Sequence, residues 1–199
     1  MLPPVTRLLL IANVAVYLLQ MAFGEELLIW FALWPFNMPA ALGAQFLPWQ
    51  VITYGFLHGS LLHIGFNMLA LYMFGGQIEQ VFGSRRFLIY FLGCIFSAAL
   101  AQLAIQTFTG SPPFPTIGAS GGVFGLLLAY GLFFPRRIVM LIFPPIPMPA
   151  WLFVTLYGLL ELYLGVTGTQ AGVAHFAHLG GMLGGWILIR QWRRRPPGR

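Results

Sequence analysis

Six apolar runs follow one another along this chain, over residues 5–23, 58–78, 87–105, 118–134, 149–166 and 174–192. A helix needs about 20 apolar residues to cross a hydrocarbon layer about 30 Å thick, and each run is of that order. Backbone in lipid must satisfy its own hydrogen bonds, so such runs fold as helices. The expectation is an all-α, polytopic membrane protein: one membrane domain over 1–199 with six transmembrane helices. Only 7% of the residues are charged, against about 25% in soluble proteins, and mean hydropathy is +0.83. Little is left for a soluble domain.

The remaining charge is ordered. The ten positive charges are all arginines, and the net charge is +6. That balance raises nucleic acid as a partner, but the arginines stand in ones, twos and threes at the ends of apolar runs, where membrane topology accounts for them. Arg7 precedes the first run, Arg85 and Arg86 part the second from the third, Arg136 and Arg137 part the fourth from the fifth, and Arg190, Arg193, Arg194 and Arg195 close the sixth. With six spans every cluster falls on one side. The positive-inside rule makes that side cytoplasmic, with both termini; five or seven spans break the pattern. The short basic tail and small size suggest a prokaryotic plasma (inner) membrane.

Arg7 and the following apolar stretch imitate a signal peptide, but no small-residue cleavage site follows, so the first run reads as a retained helix. The segment 24–48 opens with Glu25 and Glu26, is rich in tryptophan and phenylalanine, and is broken by Pro35, Pro39 and Pro48. Its apolar pieces are too short to span, which puts it in the membrane interface. GSRR after the second run reads as a tight turn, and PPIPMP before the fifth cannot sustain a helix. Cys94 lies within an apolar run and has no second cysteine to pair with. No internal repeat and no row of intramembrane charges is present, which argues against a transporter or ion path.

Polar side chains collect at one end. With six spans, His58, His63 and Asn67 begin the second, Ser120 begins the fourth, and His175 and His178 begin the sixth, all on the outer side. His63 and Asn67 are four apart and share a helix face. Gly118, Gly121, Gly122 and Gly125 on the fourth span match Gly180, Gly181, Gly184 and Gly185 on the sixth, and small residues let membrane helices approach closely. A serine and a histidine at one depth then come within reach of a nucleophile–base dyad. The Ser120 N–H, the Asn67 amide and His63 are candidate donors to an oxyanion. The alternative for these groups is a hydrogen-bonded network that only holds helices together; His58 and His175 fit either reading. No GxSxG elbow is present. Glu79 and Glu161 are expected to lie away from the outer cluster, which leaves a dyad without a third member. A four-histidine metal site is a weaker alternative, because His58 and His63 are five apart and off a common face, with no HExxH motif. A protein that escorts membrane clients without catalysis is another.

Four motifs together resemble the rhomboid intramembrane serine proteases in their minimal six-helix form: HGSLLHIGFN (58–67), GGQIEQVFGSRR (75–86), GASG (118–121) and AHLGGMLGG (177–185). The resemblance covers nearly the whole chain. It implies a rhomboid-like bundle with a membrane-embedded first loop. Ser120 would be the nucleophile and His178 the general base, with His63 and Asn67 on the oxyanion side and His58 and His175 accessory. Gly181 and Gly185 would pack the sixth helix on the fourth, with Gly118 and Gly121 on the facing surface. It further implies transmembrane protein substrates met in the lipid bilayer, and neither cofactor nor metal. The family commonly has Trp–Arg before the second helix where this chain has Trp49–Gln50. The soluble cytoplasmic domain of some members is expected to be absent, since few residues precede the first run.

Overall fold

Helices α5 (Ser84–Thr109), α6 (Ser120–Phe133) and α8 (His175–Arg194) pack on one another at the centre of the bundle. α6 has no polar face, and every residue from Gly121 to Leu127 is buried, as expected of a helix enclosed by others. Around this core stand α1 (Pro4–Phe31), the short α2 (Gln50–Thr53), α3 (Leu61–Ala70), α4 (Gly76–Phe82) and α7 (Ala150–Thr167). The computed structural model describes residues 2–38, 43–109, 114–140, 145–168 and 173–194. Pro39, Pro144 and Arg195, which entered the loop and tail expectations, lie outside the described residues, as do Gly110, Pro112 and Pro113, which read as a loop between the third and fourth runs.

The protein is an all-α polytopic membrane protein. Among the described residues, the stretches Pro4–Phe31, Leu61–Phe82, Ser84–Thr109 and Ala150–Thr167 are long and apolar enough to cross a membrane, and Ser120–Phe133 is a shorter apolar helix. Leu61–Phe82 is continuous because a π-helical turn, Leu71–Gly75, joins α3 to α4.

Several local expectations are corrected. The interfacial segment begins as helix: α1 continues to Phe31 across a kink at Phe23 (φ −129°, ψ 37°). His58 precedes its helix, which starts after the N-cap Ser60, whose hydroxyl accepts the His63 N–H. Arg85 and Arg86 lie in the first turn of α5, because the reversal is made at Gly83 alone (φ +75°), a conformation that suits glycine. The stretch after Arg137 pairs as a hairpin: β1 (Ile138–Met140) runs antiparallel to β2 (Pro147–Pro149), with Val139 opposite Met148. Proline at the ends of β2 is tolerated because a two-stranded ribbon has free edges.

Two buried side chains hold the periphery. The Gln50 amide uses both ends: its oxygen accepts the N–H groups of Trp34 (3.2 Å) and Leu47 (3.1 Å), and its nitrogen donates to the carbonyls of Trp30 and Gln45. A neutral side chain at this position thereby gathers the first loop. The Glu79 carboxylate accepts from Val5 N, Thr6 N, Thr6 Oγ1 and Ser84 Oγ at 2.7–3.0 Å. It thus satisfies the unpaired N–H groups at the start of α1, where negative charge is favoured, and ties α1, α4 and α5 together. Glu79→Gln is expected to cost about 2–3 kcal/mol, because charge-assisted bonds become an amide that faces donors. That is a fall of about 4–12 °C in unfolding temperature for a chain this long, read by thermal denaturation in detergent. An unchanged midpoint would remove Glu79 from the forces holding α1.

Candidate active site

The segment 114–119 leads into α6 and is fixed on both sides before the helix begins. Thr116 and Leu33 exchange backbone hydrogen bonds (3.0 and 2.9 Å), and the Gly118 N–H donates to the Tyr54 carbonyl (2.9 Å). Tyr54 is itself anchored through its hydroxyl to the Ile95 carbonyl on α5 (2.8 Å). The first loop therefore acts as the wall that sets where α6 starts. Ser120 is the first residue of α6, so N–H groups of its first turn have no partner within the helix. α6 has 14 residues, about 21 Å of rise, so it is shorter than the apolar layer of about 30 Å. Ser120 itself is half-buried. A cavity of about 440 Å³ reaches it, lined by His63, Thr116, Ile117, Ser120, Ala174 and His178 among others.

His178, in the first turn of α8, brings Nε2 to 2.8 Å from Ser120 Oγ. Its ring stacks on Phe124, with centroids 4.3 Å apart and planes 6° from parallel. Phe124 is one turn beyond Ser120 on the same helix face, so α6 supplies both the hydroxyl and the surface that orients the imidazole. The close approach of α6 and α8 depends on Gly181: a Cβ there would collide with the Gly121 carbonyl oxygen and lie 2.8 Å from its carbon.

Glu161 corrects the expectation that no acid is near. It lies in the last two turns of α7, and the next helix starts with His175 and His178 at the same level. Its Oε2 is 2.8 Å from His178 Nδ1 and 2.7 Å from His175 Nδ1. The missed signal was a lone carboxylate near the end of one span, with a short connection to two histidines at the start of the next. Equal depth in antiparallel helices makes them neighbours.

The other candidate residues divide. His63 lines the cavity with Ser120; its Nδ1 accepts the Gly59 N–H (3.4 Å), and its Nε2 edge faces Gly118. Asn67 is buried, its amide nitrogen has no partner among the described residues, and it opens onto a second, apolar hollow of about 390 Å³ with Phe66, Met73, Phe153 and Tyr157. His58 is buried edge-on to His63, with centroids 5.0 Å apart, and Gln20 clasps its backbone N–H and carbonyl. The four histidines thus do not converge on one point. Glu161, His175 and His178 are metal-ligand types in one cluster, yet their N···O separations of 2.7 and 2.8 Å are direct hydrogen bonds. Tetrahedral zinc with bonds of about 2.0–2.1 Å sets its ligand atoms about 3.3 Å apart.

Two of the packing glycines act differently from expectation. Gly118 lies outside the helix at φ +126°, and a Cβ there would sit 2.7 Å from His63 Nε2. Its absence of a side chain serves His63 and the turn into α6 instead of helix packing. Gly185 faces Tyr90 and Cys94 of α5 and not α6, while Gly121 lies against Ala98 of α5 as well as Gly181. Gly118→Ala combines a strained backbone with displacement of His63. It is expected to lower kcat by about 10- to 100-fold through misplacement of about 1 Å, with the protein still folded, in a peptide-cleavage assay. Wild-type turnover would remove His63 from the site.

Known proteins are similar to this chain over most of its length. A family model for the rhomboid domain matches residues 45–195, a range that includes all four motifs. Rhomboid protein 1, mitochondrial, of Saccharomyces cerevisiae is 31% identical over 157 residues, covering 71% of this chain and 42% of that protein. Rhomboid protease GlpG of Yersinia pestis is 28% identical over 201 residues, covering 98% of this chain and 65% of the relative. The GlpG of Salmonella choleraesuis is 34% identical over 128 residues, covering 64% and 42%. The chain spans less than two thirds of the length of these curated relatives. With the family model matched over well more than half of its length, the chain belongs to the rhomboid family.

Proposed function

We propose that this chain is an intramembrane serine endopeptidase that cuts transmembrane segments of other membrane proteins. The observation that carries the reading is the 2.8 Å contact between His178 Nε2 and Ser120 Oγ beside a cavity of about 440 Å³. His178 takes the hydroxyl proton as Ser120 attacks the scissile carbonyl, and returns it to the leaving amine. Unpaired N–H groups at the start of α6, with His63, which lines the cavity, are the donors for the developing oxyanion, and the Asn67 amide, one helical turn from His63 and without a partner among the described residues, is a further candidate donor. Water activated by His178 then releases the acyl-enzyme. A closed helix shields its carbonyls, so the substrate segment must open locally, and helix-destabilising residues near the cut site follow from that.

The membrane orientation of the proposal puts Ser120 towards the outer face and both termini in the cytoplasm, within a prokaryotic inner membrane. Arg86, Arg137 and Arg193 support it: all three are exposed, pack on Trp192, Phe134 and Phe133, and stand at the end of the bundle away from Ser120. The relatives named rhomboid protease GlpG support the class of activity.

The test is cleavage of a single-span reporter by the purified protein in liposomes, together with fluorophosphonate labelling. Cleavage and labelling that both disappear in Ser120→Ala are expected. A reporter left intact by a well-folded protein that no fluorophosphonate labels would overturn the assignment.

A further inference from the structure

We infer that Glu161 is a positioning residue for the reaction and that the site works as a Ser120–His178–Glu161 triad, with His175 bonded to the same carboxylate oxygen as His178. The inference rests on the protease reading above and deepens it.

The proton arrangement follows from one oxygen. Both imidazoles meet Oε2 of Glu161 through Nδ1, at 2.7 and 2.8 Å. A carboxyl oxygen carries at most one proton, so a neutral Glu161 would serve one ring and at least one ring would still have to donate. An ionised Glu161 accepts from both and satisfies the pair without conflict. Each ring then carries its proton on Nδ1. For His178 this leaves the Nε2 lone pair on Ser120 Oγ, the tautomer a general base needs. For His175 it leaves Nε2 as a bare lone pair, and that atom is buried with no partner among the described residues. A buried acceptor tolerates this better than a buried N–H would.

The charge argument points the same way. Glu161 is only 8% exposed within an apolar helix, and no arginine bonds to it among the described residues; its two partners are the histidines. At rest, a buried negative charge is held by two neutral donors. When His178 takes the serine proton, the imidazolium forms against that carboxylate, and the charge gains a counter-ion only at that moment. An interaction that is stronger in the transition state than in the ground state accelerates the chemical step. The Phe124 face sets the plane of the His178 ring, and Glu161 sets its rotation within that plane.

The experiment compares wild type with Glu161→Gln, Glu161→Asp and His175→Gln in reporter cleavage, fluorophosphonate labelling rate and unfolding temperature. Glu161→Gln keeps shape and loses charge. It is expected to lower kcat and the labelling rate by about 100-fold or more, with KM within about threefold. Glu161→Asp keeps the charge and is expected to recover at least tenfold of that loss. His175→Gln is expected to cost about 3- to 10-fold, because His178 keeps its own bond to the acid. A Glu161 that merely held α7 on α8 would move the unfolding temperature and leave the kcat of the folded protein unchanged, which would overturn the inference and leave the protease reading standing. Wild type that neither cleaves nor labels would overturn both. As a readout independent of turnover, histidine-labelled Ser120→Ala protein is expected to show a far-downfield Nδ1 proton for His178 that is lost in Ser120→Ala/Glu161→Gln. Its presence in both would overturn the assignment.

Discussion

Ser120→Ala and His178→Ala are each expected to reduce reporter cleavage by about 10⁴-fold or more, about 5.5 kcal/mol of barrier. The two residues act as a unit, so the double variant should be no worse than either single one. Their effects on stability should differ. Ser120 gives up one hydrogen bond, worth about 1 kcal/mol. His178→Ala also uncovers the face of Phe124 and leaves the buried Glu161 carboxylate with one partner in place of two, which is expected to cost about 2–3 kcal/mol more. Cleavage assays with matched unfolding curves separate the two quantities. Cleavage by Ser120→Ala within tenfold of wild type would place the nucleophile elsewhere.

Gly181→Ala is expected to lower reporter cleavage by about 10²-fold or more, although residue 181 touches no substrate. Its Cβ would fall on the Gly121 carbonyl group, with the carbon at 2.8 Å and Cα at 3.0 Å. These are backbone atoms that cannot turn aside, so α6 and α8 must separate by about 1 Å or more. Overpacking of this kind costs about 1–3 kcal/mol, and the better helix propensity of alanine returns only about 1 kcal/mol. The larger loss is geometric. The Ser120–His178 contact of 2.8 Å bridges the same two helices, and misplacement by about 1 Å costs about 10²-fold or more. Gly65→Ala is the control: it lies on α3 with nothing within 4 Å of its would-be Cβ and should leave activity and stability near wild type. Full activity in Gly181→Ala would show that the helix contact does not set the dyad distance.

The family, the helical class and the gathering of serine and histidines at one end were legible in the chain because they rest on local quantities. Apolar length specifies spans, arginine placement orders them, and the order of spans brings Ser120, His175 and His178 to one end. Glycine spacing made a close approach of α6 and α8 readable, and Gly181 against Gly121 is such an approach. Other features were not local. Nothing near Gly24 in the chain distinguishes helix from interfacial loop; α1 runs on to Phe31 because Trp34 Nε1 donates to the carbonyls of Leu28 and Ile29 and Thr53 Oγ1 donates to Phe31. Strand β2 is a proline-rich stretch that forms only because β1 is placed beside it.

What the sequence by itself determined is that Ser120, His175 and His178 gather at one end of the bundle, since position along each helix is counted from the end of its apolar run. What only the tertiary structure decided is azimuth: which way each side chain points once helices turn against their neighbours. The sequence reading sets Glu161 away from His175 and His178, although all three stand near the same ends of neighbouring spans, and whether a carboxylate faces lipid or imidazole depends on the rotation of α7 on α8. That rotation is set by packing across several helices, which no single stretch of the chain encodes. Gly118 shows the same limit from the other side: among glycines it reads as part of a packing stripe, and its φ of +126° against His63 exists only when α3 is brought to the mouth of α6.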